Sequence, residues 1–264
     1  MAEFGRPRFC LTVVVLLVLT VVSRWPSLAD SPTVAQNHVR IGERLTYALS
    51  WGKIPAGTAV LEVAGRQIVS GRSLVKLLHT ARSNDFVSMF YPVNNRVESF
   101  LDEEAMLPAR QFFKRREGKR KNDIEVVFDQ IAHVATITKD GQTETLAVPP
   151  QVQDTLSCLY FFRTLPFSSV GDTVGIEVYH DKKNYHMELR VEGFERMHSP
   201  LGEVETVRVL AVMPFRGLFL NEGNIRVWFT KDAAHVPILM RAKVTVGSIS
   251  ATLTSLEATA VAGR

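Results

Sequence analysis

Seven histidines are the side chains best suited to chemistry in this sequence: His38, His79, His133, His180, His186, His198 and His235. They are scattered, about one to each strand or turn, whereas a metal site needs three or four converging donors. The closest pair, His180 and His186, flanks Asp181-Lys182-Lys183-Asn184. With Lys182-Lys183 as a two-residue turn, His180 faces Tyr185 and Tyr179 faces His186. The two imidazoles then point to opposite faces of a hairpin and cannot share an ion. The sequence has no G-x-S-x-G elbow, phosphate-binding loop, H-E-x-x-H or C-x-x-C. Cys158 lies among Leu156, Leu159 and Phe161, so it is expected to be a small buried hydrophobe rather than a reactive thiol. The expectation is a non-enzymatic protein with no metal and no cofactor.

Binding chemistry is better represented. Lys114, Arg115, Arg116, Lys119, Arg120 and Lys121 surround a single acid, Glu117. Such a tip is either a solvated hairpin that keeps a sheet edge from aggregating or a contact for anionic headgroups and lipopolysaccharide phosphates. Nucleic acid is not expected, because no aromatics interleave with these charges. Two irregular segments are unusually apolar, Asp85–Tyr91 and Met213–Leu220. Together with an apolar helix they either close the core or line the mouth of a pocket for a lipid or amphiphile. The candidate lining residues are Phe86, Met89, Phe90, Phe161, Phe162, Phe215, Leu218 and Phe219. Arg96, Glu98, Asp154 and Arg163 form a third, polar set. They supply either a buried Arg–carboxylate pair fixing the helix on a sheet, or a site for a ligand's carboxylate or phosphate.

The elements that must position these residues follow from periodicity. A helix is predicted over about 154–165, with Asp154 accepting from the backbone N–H of Leu156 or Ser157. Leu156, Leu159, Tyr160 and Arg163 fall at i, i+3, i+4 and i+7, and Pro166 ends the run. A short helical turn is predicted at 84–90. Nearly everything else alternates as strand. Leu45, Tyr47, Leu49 and Trp51 share one face, and Asp140-Gly141 between His133–Lys139 and Gln142–Val148 is the signature of a tight hairpin. Strands follow strands through short turns, so the fold class is all-β and mainly antiparallel. The expected form is a strongly curved sheet, either a half-open barrel or a two-sheet sandwich, with the one helix packed on it.

The ends of the 264-residue chain read differently. Arg6 and Arg8 precede an unbroken run from Cys10 to Val22 of apolar residues and Thr, too short to span a bilayer but right for a signal peptide. Ser27-Leu28-Ala29 predicts cleavage after Ala29 and a periplasmic location. The alternative is an uncleaved segment anchored in the inner membrane. Cleavage removes Cys10, leaving Cys158 without a disulfide partner, and removes three arginines and one glutamate. The net charge falls from +4 to +2, too small to select a polyanionic partner globally. The expected organisation is a signal at 1–29, a flexible leader at 30–40, one β domain at 41–258 and a disordered tail at 259–264.

Several segments together resemble a known family. They are Gly42-Glu43-Arg44-Leu45-Thr46-Tyr47 with Ser50-Trp51 and Ile54-Pro55-Ala56-Gly57, and Tyr91-Pro92-Val93 with Arg96-Val97-Glu98-Ser99. Pro108, Glu117-Gly118 and Asp154-Thr155-Leu156-Ser157 with Tyr160 and Arg163 follow. Val227-Trp228 with Asp232, Val236-Pro237-Ile238 and Gly247-Ser248 complete the set. Over Ile41–Glu257 the chain is similar to the exported bacterial proteins grouped as domain of unknown function 3108. The resemblance implies a mostly β envelope protein and no particular activity. The functional expectation is therefore a protein that binds or carries an apolar or amphiphilic envelope molecule. The alternative is a structural or assembly factor acting through envelope proteins or lipopolysaccharide.

Overall fold

The computed structural model describes residues 39–212, 224–243 and 247–258. The chain divides into two units, Met1–Ser31 and Pro32–Arg264, and the sheet belongs to the second. The predicted signal, the leader up to residue 38 and the tail at 259–264 lie outside the described residues.

The alternating segments form β1 (Glu43–Trp51), β2 (Ile54–Val69), β3 (Arg72–Ser83), β4 (Asn94–Asp102), β5 (Leu107–Glu117), β6 (Arg120–Asp129), β7 (Val134–Lys139) and β8 (Gln142–Ala147). After the helical segment come β9 (Thr173–His180), β10 (Lys183–Ser199), β11 (Gly202–Val212), β12 (Ile225–Thr230), β13 (Pro237–Lys243) and β14 (Ser248–Ala258). These fourteen strands make one antiparallel sheet, ordered β8-β7-β6-β5-β4-β3-β2-β1-β14-β13-β12-β11-β10-β9. Two meanders are thus sewn together by the β1–β14 pair, and the sandwich alternative gives way to a single sheet. Bulges at Val63/Gly65 and Val191/Gly193 interrupt the two longest strands, the kind of irregularity that bends a strand and increases its twist.

Curvature is imposed by what the helix touches. α2 (Ser157–Phe162) sits in the middle of the segment 148–172. Leu156 and Tyr160 pack with Leu45, Leu77 and Leu101 of β1, β3 and β4. Cys158 and Phe162 pack with Leu189, Val209 and Phe229 of β10, β11 and β12. In a flat sheet β4 and β10 would stand eight strand positions apart, roughly 40 Å. A helix of two turns reaches both only because the sheet curls around it. The curl does not close into a barrel: β8 and β9 are the ends and do not pair. Residues 148–153 bridge the gap. Gln153 N–H donates to Glu177 O at 2.8 Å and Gln153 O accepts from Tyr179 N–H at 2.8 Å, one rung on the β9 edge. Val148 and Val152 pack with Phe128, Ile137 and Tyr179, sealing the seam with apolar contacts.

The predicted helix is shorter than its pattern. Gln153 is held extended by β9 at one end. At the other, Arg163, Thr164 and Leu165 donate to carbonyls three residues back, a tightened last turn. Alone, such a helix would not form in water. Burial of Leu156, Tyr160 and Phe162 holds it, at about 1.5–3 kcal/mol for each large side chain.

Candidate functional site

The side chains of α2 pack among those of the strands in the buried core. Asp154 caps α2 as the sequence predicts: its Oδ1 accepts from Leu156 N–H and Ser157 N–H, each at 2.7 Å. Ser99 Oγ of β4 donates to Oδ2 at 2.5 Å, tying the helix to the wall. Burial pushes the Asp154 carboxyl up, and these donors pull it down. Arg163 points inward too, yet its partner is neither Asp154 nor Glu98. It is Glu43, at the start of β1. Arg163 Nη1 and Nη2 donate to the two Glu43 oxygens at 2.5 and 2.9 Å, and Nε donates to Ala234 O at 3.1 Å. Burial works against this charge, and Glu43 restores it, leaving the Arg163 pKa raised. Glu43 was missed by the sequence reading, although it precedes Leu45 and Tyr47 at period two and so had to face inward. Arg96 and Glu98 lie on the outer face instead, bonded to each other at 2.6 and 2.8 Å, with Lys76 Nζ 2.7 Å from Glu98.

The described members of the predicted apolar lining fall into two groups. Phe162 is buried in the core and Phe161 packs against it. Phe215, Leu218 and Phe219 lie outside the described residues. Phe86, Met89 and Phe90 stand at the end of the curled sheet, on and just after α1 (Asp85–Ser88), with 53, 71 and 76% of their surfaces exposed. Open concavities formed by described residues lie elsewhere. One of about 560 Å³ runs along the outer face beside Arg96, Glu98, Phe112, Lys114, Asp123 and Glu125.

The turn that carries Phe86, Met89 and Phe90 is firmly held. Asn84 Oδ1 accepts from Val87 N–H at 2.9 Å, and Asn84 Nδ2 donates to Pro55 O at 2.7 Å. Ser83 Oγ lies 2.7 Å from Ser88 Oγ and accepts from Val93 N–H at 2.9 Å. Phe86 and Phe90 meet edge to face, centroids 5.7 Å apart. Alongside, Trp51 and Ile54, a cross-strand pair at the β1–β2 turn, are nearly half exposed. The backbone is thus satisfied internally while five large apolar side chains face out.

The basic hairpin stands next to this rim. Gly118 N–H donates to Pro92 O at 2.8 Å, and Val93 bridges Glu117. Gly118, at φ +56°, lies against the Tyr91 ring, where a Cβ would come within 2.7 Å. Tyr91 bonds the Glu117 carboxylate; burial and then that acid raise the phenol's pKa. The six basic residues do not act as one patch. Arg115 points inward, buried, its guanidinium over the Phe113 ring at 4.6 Å and 3.8 Å from Asp181. Arg116 bonds Asp123 at 2.6 Å. Lys114, Lys119, Arg120 and Lys121 are exposed, with no ion-pair partner among the described residues.

The histidines stay apart. The β9–β10 turn is Asp181-Lys182, both at positive φ, rather than Lys182-Lys183. The register moves by an even step, so His180 and His186 still face opposite ways; His186 Nδ1 lies 2.7 Å from Glu177. His235 Nδ1 donates to Arg163 O at 2.8 Å. No group of three metal-ligating side chains occurs among the described residues. Cys158 is buried, and burial pushes its thiol up, away from reactivity.

Fold and rim together define a β-barrel-like protein: an open antiparallel sheet wrapped on a helix, with an apolar and basic end. The chain belongs to the family described as Protein of unknown function (DUF3108), whose profile matches residues 46–254. No curated protein matches the sequence. Among solved structures, it resembles a β-barrel-like protein of domain of unknown function DUF1849 from Brucella abortus. That match has a TM-score of 0.55 at 9% identity, covering 83% of this chain and 98% of the other. A candidate exported protein with a YmcC-like fold from Bacteroides fragilis matches at a TM-score of 0.37 and 11% identity, over 83% and 96% of the two chains. A candidate lipoprotein from Parabacteroides distasonis matches at 0.38 and 9%, over the same shares.

Proposed function

We propose that this is a non-catalytic periplasmic protein that binds an apolar or amphiphilic envelope molecule, and that it does so at its rim rather than inside. The observation that carries this reading is the pinned turn holding Phe86, Met89 and Phe90 out in solvent. Such a group of large apolar side chains on an ordered surface marks an interaction site. The test is native mass spectrometry of protein isolated from its own periplasm, together with tryptophan emission on adding detergent micelles. In the chain cleaved after Ala29, which lacks Trp25, Trp51 is exposed at the rim, whereas Trp228 is buried and donates to Glu195, so a blue shift reports on the rim. Absence of any co-purifying amphiphile, with emission unmoved by micelles, refutes the reading.

A second reading, an assembly factor of the envelope, is favoured by β8. This end strand is almost wholly exposed and has β7 as its one strand partner; the β9–β10 hairpin reaches it through Asn184 Nδ2, which donates to Ala147 O at 2.8 Å, and through Lys182, which pairs with Glu144. An open edge accepts a strand from another protein. A photo-crosslinker at Thr145 is expected to capture a defined partner in cells; crosslinks no different from those at an exposed site away from the edge refute it.

A further inference from the structure

We infer that the rim is a docking face for the surface of a bilayer containing anionic lipid. The inference deepens the proposed function and rests on the rim being the binding site.

Three observations combine. The apolar side chains and the uncompensated cations occupy the same end of the sheet and are joined through Pro92, Gly118 and Tyr91. The single acid of the basic tip, Glu117, accepts from the Tyr91 hydroxyl and stands across the hairpin from Arg120 without an ion pair, so the tip of Lys119, Arg120 and Lys121 keeps a net positive charge of two against that one acid. The polar groups of the 83–93 turn bond one another, so bringing the turn against headgroups leaves few backbone groups to desolvate. Exposed acids at this end include Asp85, Asp123, Asp140 and Asp181; Arg116 pairs with Asp123 and Arg115 lies 3.8 Å from Asp181, whereas Lys119, Arg120 and Lys121 form no ion pair among the described residues. Aromatic and thioether side chains seated in the interface, with Lys and Arg beside them, are the elements of an amphipathic surface anchor. A free amphiphile would need only the apolar part. The adjoining row of cations matches an extended array of negative headgroups, which a bilayer provides.

Each cation near an anionic leaflet strengthens binding about fivefold, so three give about a hundredfold. The test is co-sedimentation of the exported, purified chain with vesicles of phosphatidylcholine alone and of phosphatidylcholine with phosphatidylglycerol. The comparison proteins are the triple variant Lys119→Gln, Arg120→Gln, Lys121→Gln and the double variant Met89→Ser, Phe90→Ser. All carry the same N-terminus, and all altered side chains are exposed, so their differences report on the rim. The expected result is binding about a hundredfold tighter to the anionic vesicles, lost in the triple variant and in high salt. The double variant is expected to weaken binding at least tenfold and to abolish the Trp51 blue shift. Equal binding to both vesicle types, or a triple variant that binds unchanged, overturns the inference while leaving amphiphile binding intact. So does binding of micelles or of lipopolysaccharide without binding of anionic vesicles. An unaffected double variant overturns it as well, by removing the apolar half. Failure to bind vesicles and amphiphiles alike overturns both readings.

Discussion

Glu43→Gln is expected to be among the most damaging single substitutions in this fold. The Arg163 side chain is 1% exposed and that of Glu43 4%. Glutamine keeps one acceptor but turns an NH2 toward a guanidinium that has only donors. The positive charge is left buried with the Ala234 carbonyl and the Tyr160 ring, 5.4 Å away, as its remaining support. Removing one member of a buried pair costs about 3–5 kcal/mol, a large part of a stability of about 5–15 kcal/mol. At about 2–4 °C per kcal/mol for a domain of this size, the melting temperature should fall by about 6–20 °C. Thermal unfolding followed by near-ultraviolet circular dichroism measures this. Arg163→Met should cost a similar amount, because it strands the Glu43 carboxylate. The two together should cost less than the sum of the singles, the signature of a coupled pair. A loss below about 1 kcal/mol for Glu43→Gln, or strict additivity, would refute the idea that this pair clamps the helix in the sheet.

Gly118→Ala should cost about 1–2 kcal/mol, since position 118 is left-handed. It should also weaken binding to anionic vesicles, because the new methyl displaces Tyr91 and parts the hairpin from the turn; calorimetry and co-sedimentation check both. Stability should also fall in mild acid. Burial holds His79 at about 4 and lowers His180 and His235, so the unfolded chain binds more protons as pH drops below about 6.5. The loss for His79 alone runs from about pH 6.5 down to about pH 4 and reaches about 3 kcal/mol. The raised carboxyl of Asp154 acts in the opposite sense. Melting temperatures across this range, for the native chain and His79→Gln, should converge at low pH; parallel curves would refute the assignment.

Local pattern carried most of the fold. Alternation placed the strands, Asp140-Gly141 its hairpin, and Asp154 the cap of α2, because each depends on neighbours a few residues away. Contacts between distant residues were less legible. Glu43 and Arg163 are 120 residues apart, and no periodicity pairs them. The inward aim of Arg115 was recoverable: Gln111, Phe113 and Arg115 alternate on the face that also carries Ser99 and Val97. Composition outweighed period there, so six charges read as one patch. The same face logic misjudged Trp51, which shares the parity of Leu45 and Tyr47 but sits where β1 leaves the core. A register shift at Leu49/Ser50 lies just before it.

The location of binding follows from the anchoring of α2. A carrier that took its ligand inside the curl would have to move this helix aside, since Leu156, Tyr160 and Phe162 fill the space. Moving it would break the Glu43–Arg163 pair and remove the Asp154 carboxylate from Ser99, leaving buried charges without partners. By the cost of a broken buried pair, each such step is on the order of several kcal/mol. An apolar ligand would have to return that energy in addition to replacing the core contacts. The turn at residues 84–91 needs no rearrangement: its hydrogen bonds are already made, and its apolar side chains already face out. A preorganised surface binds without an ordering cost, and for this sheet that surface is the rim.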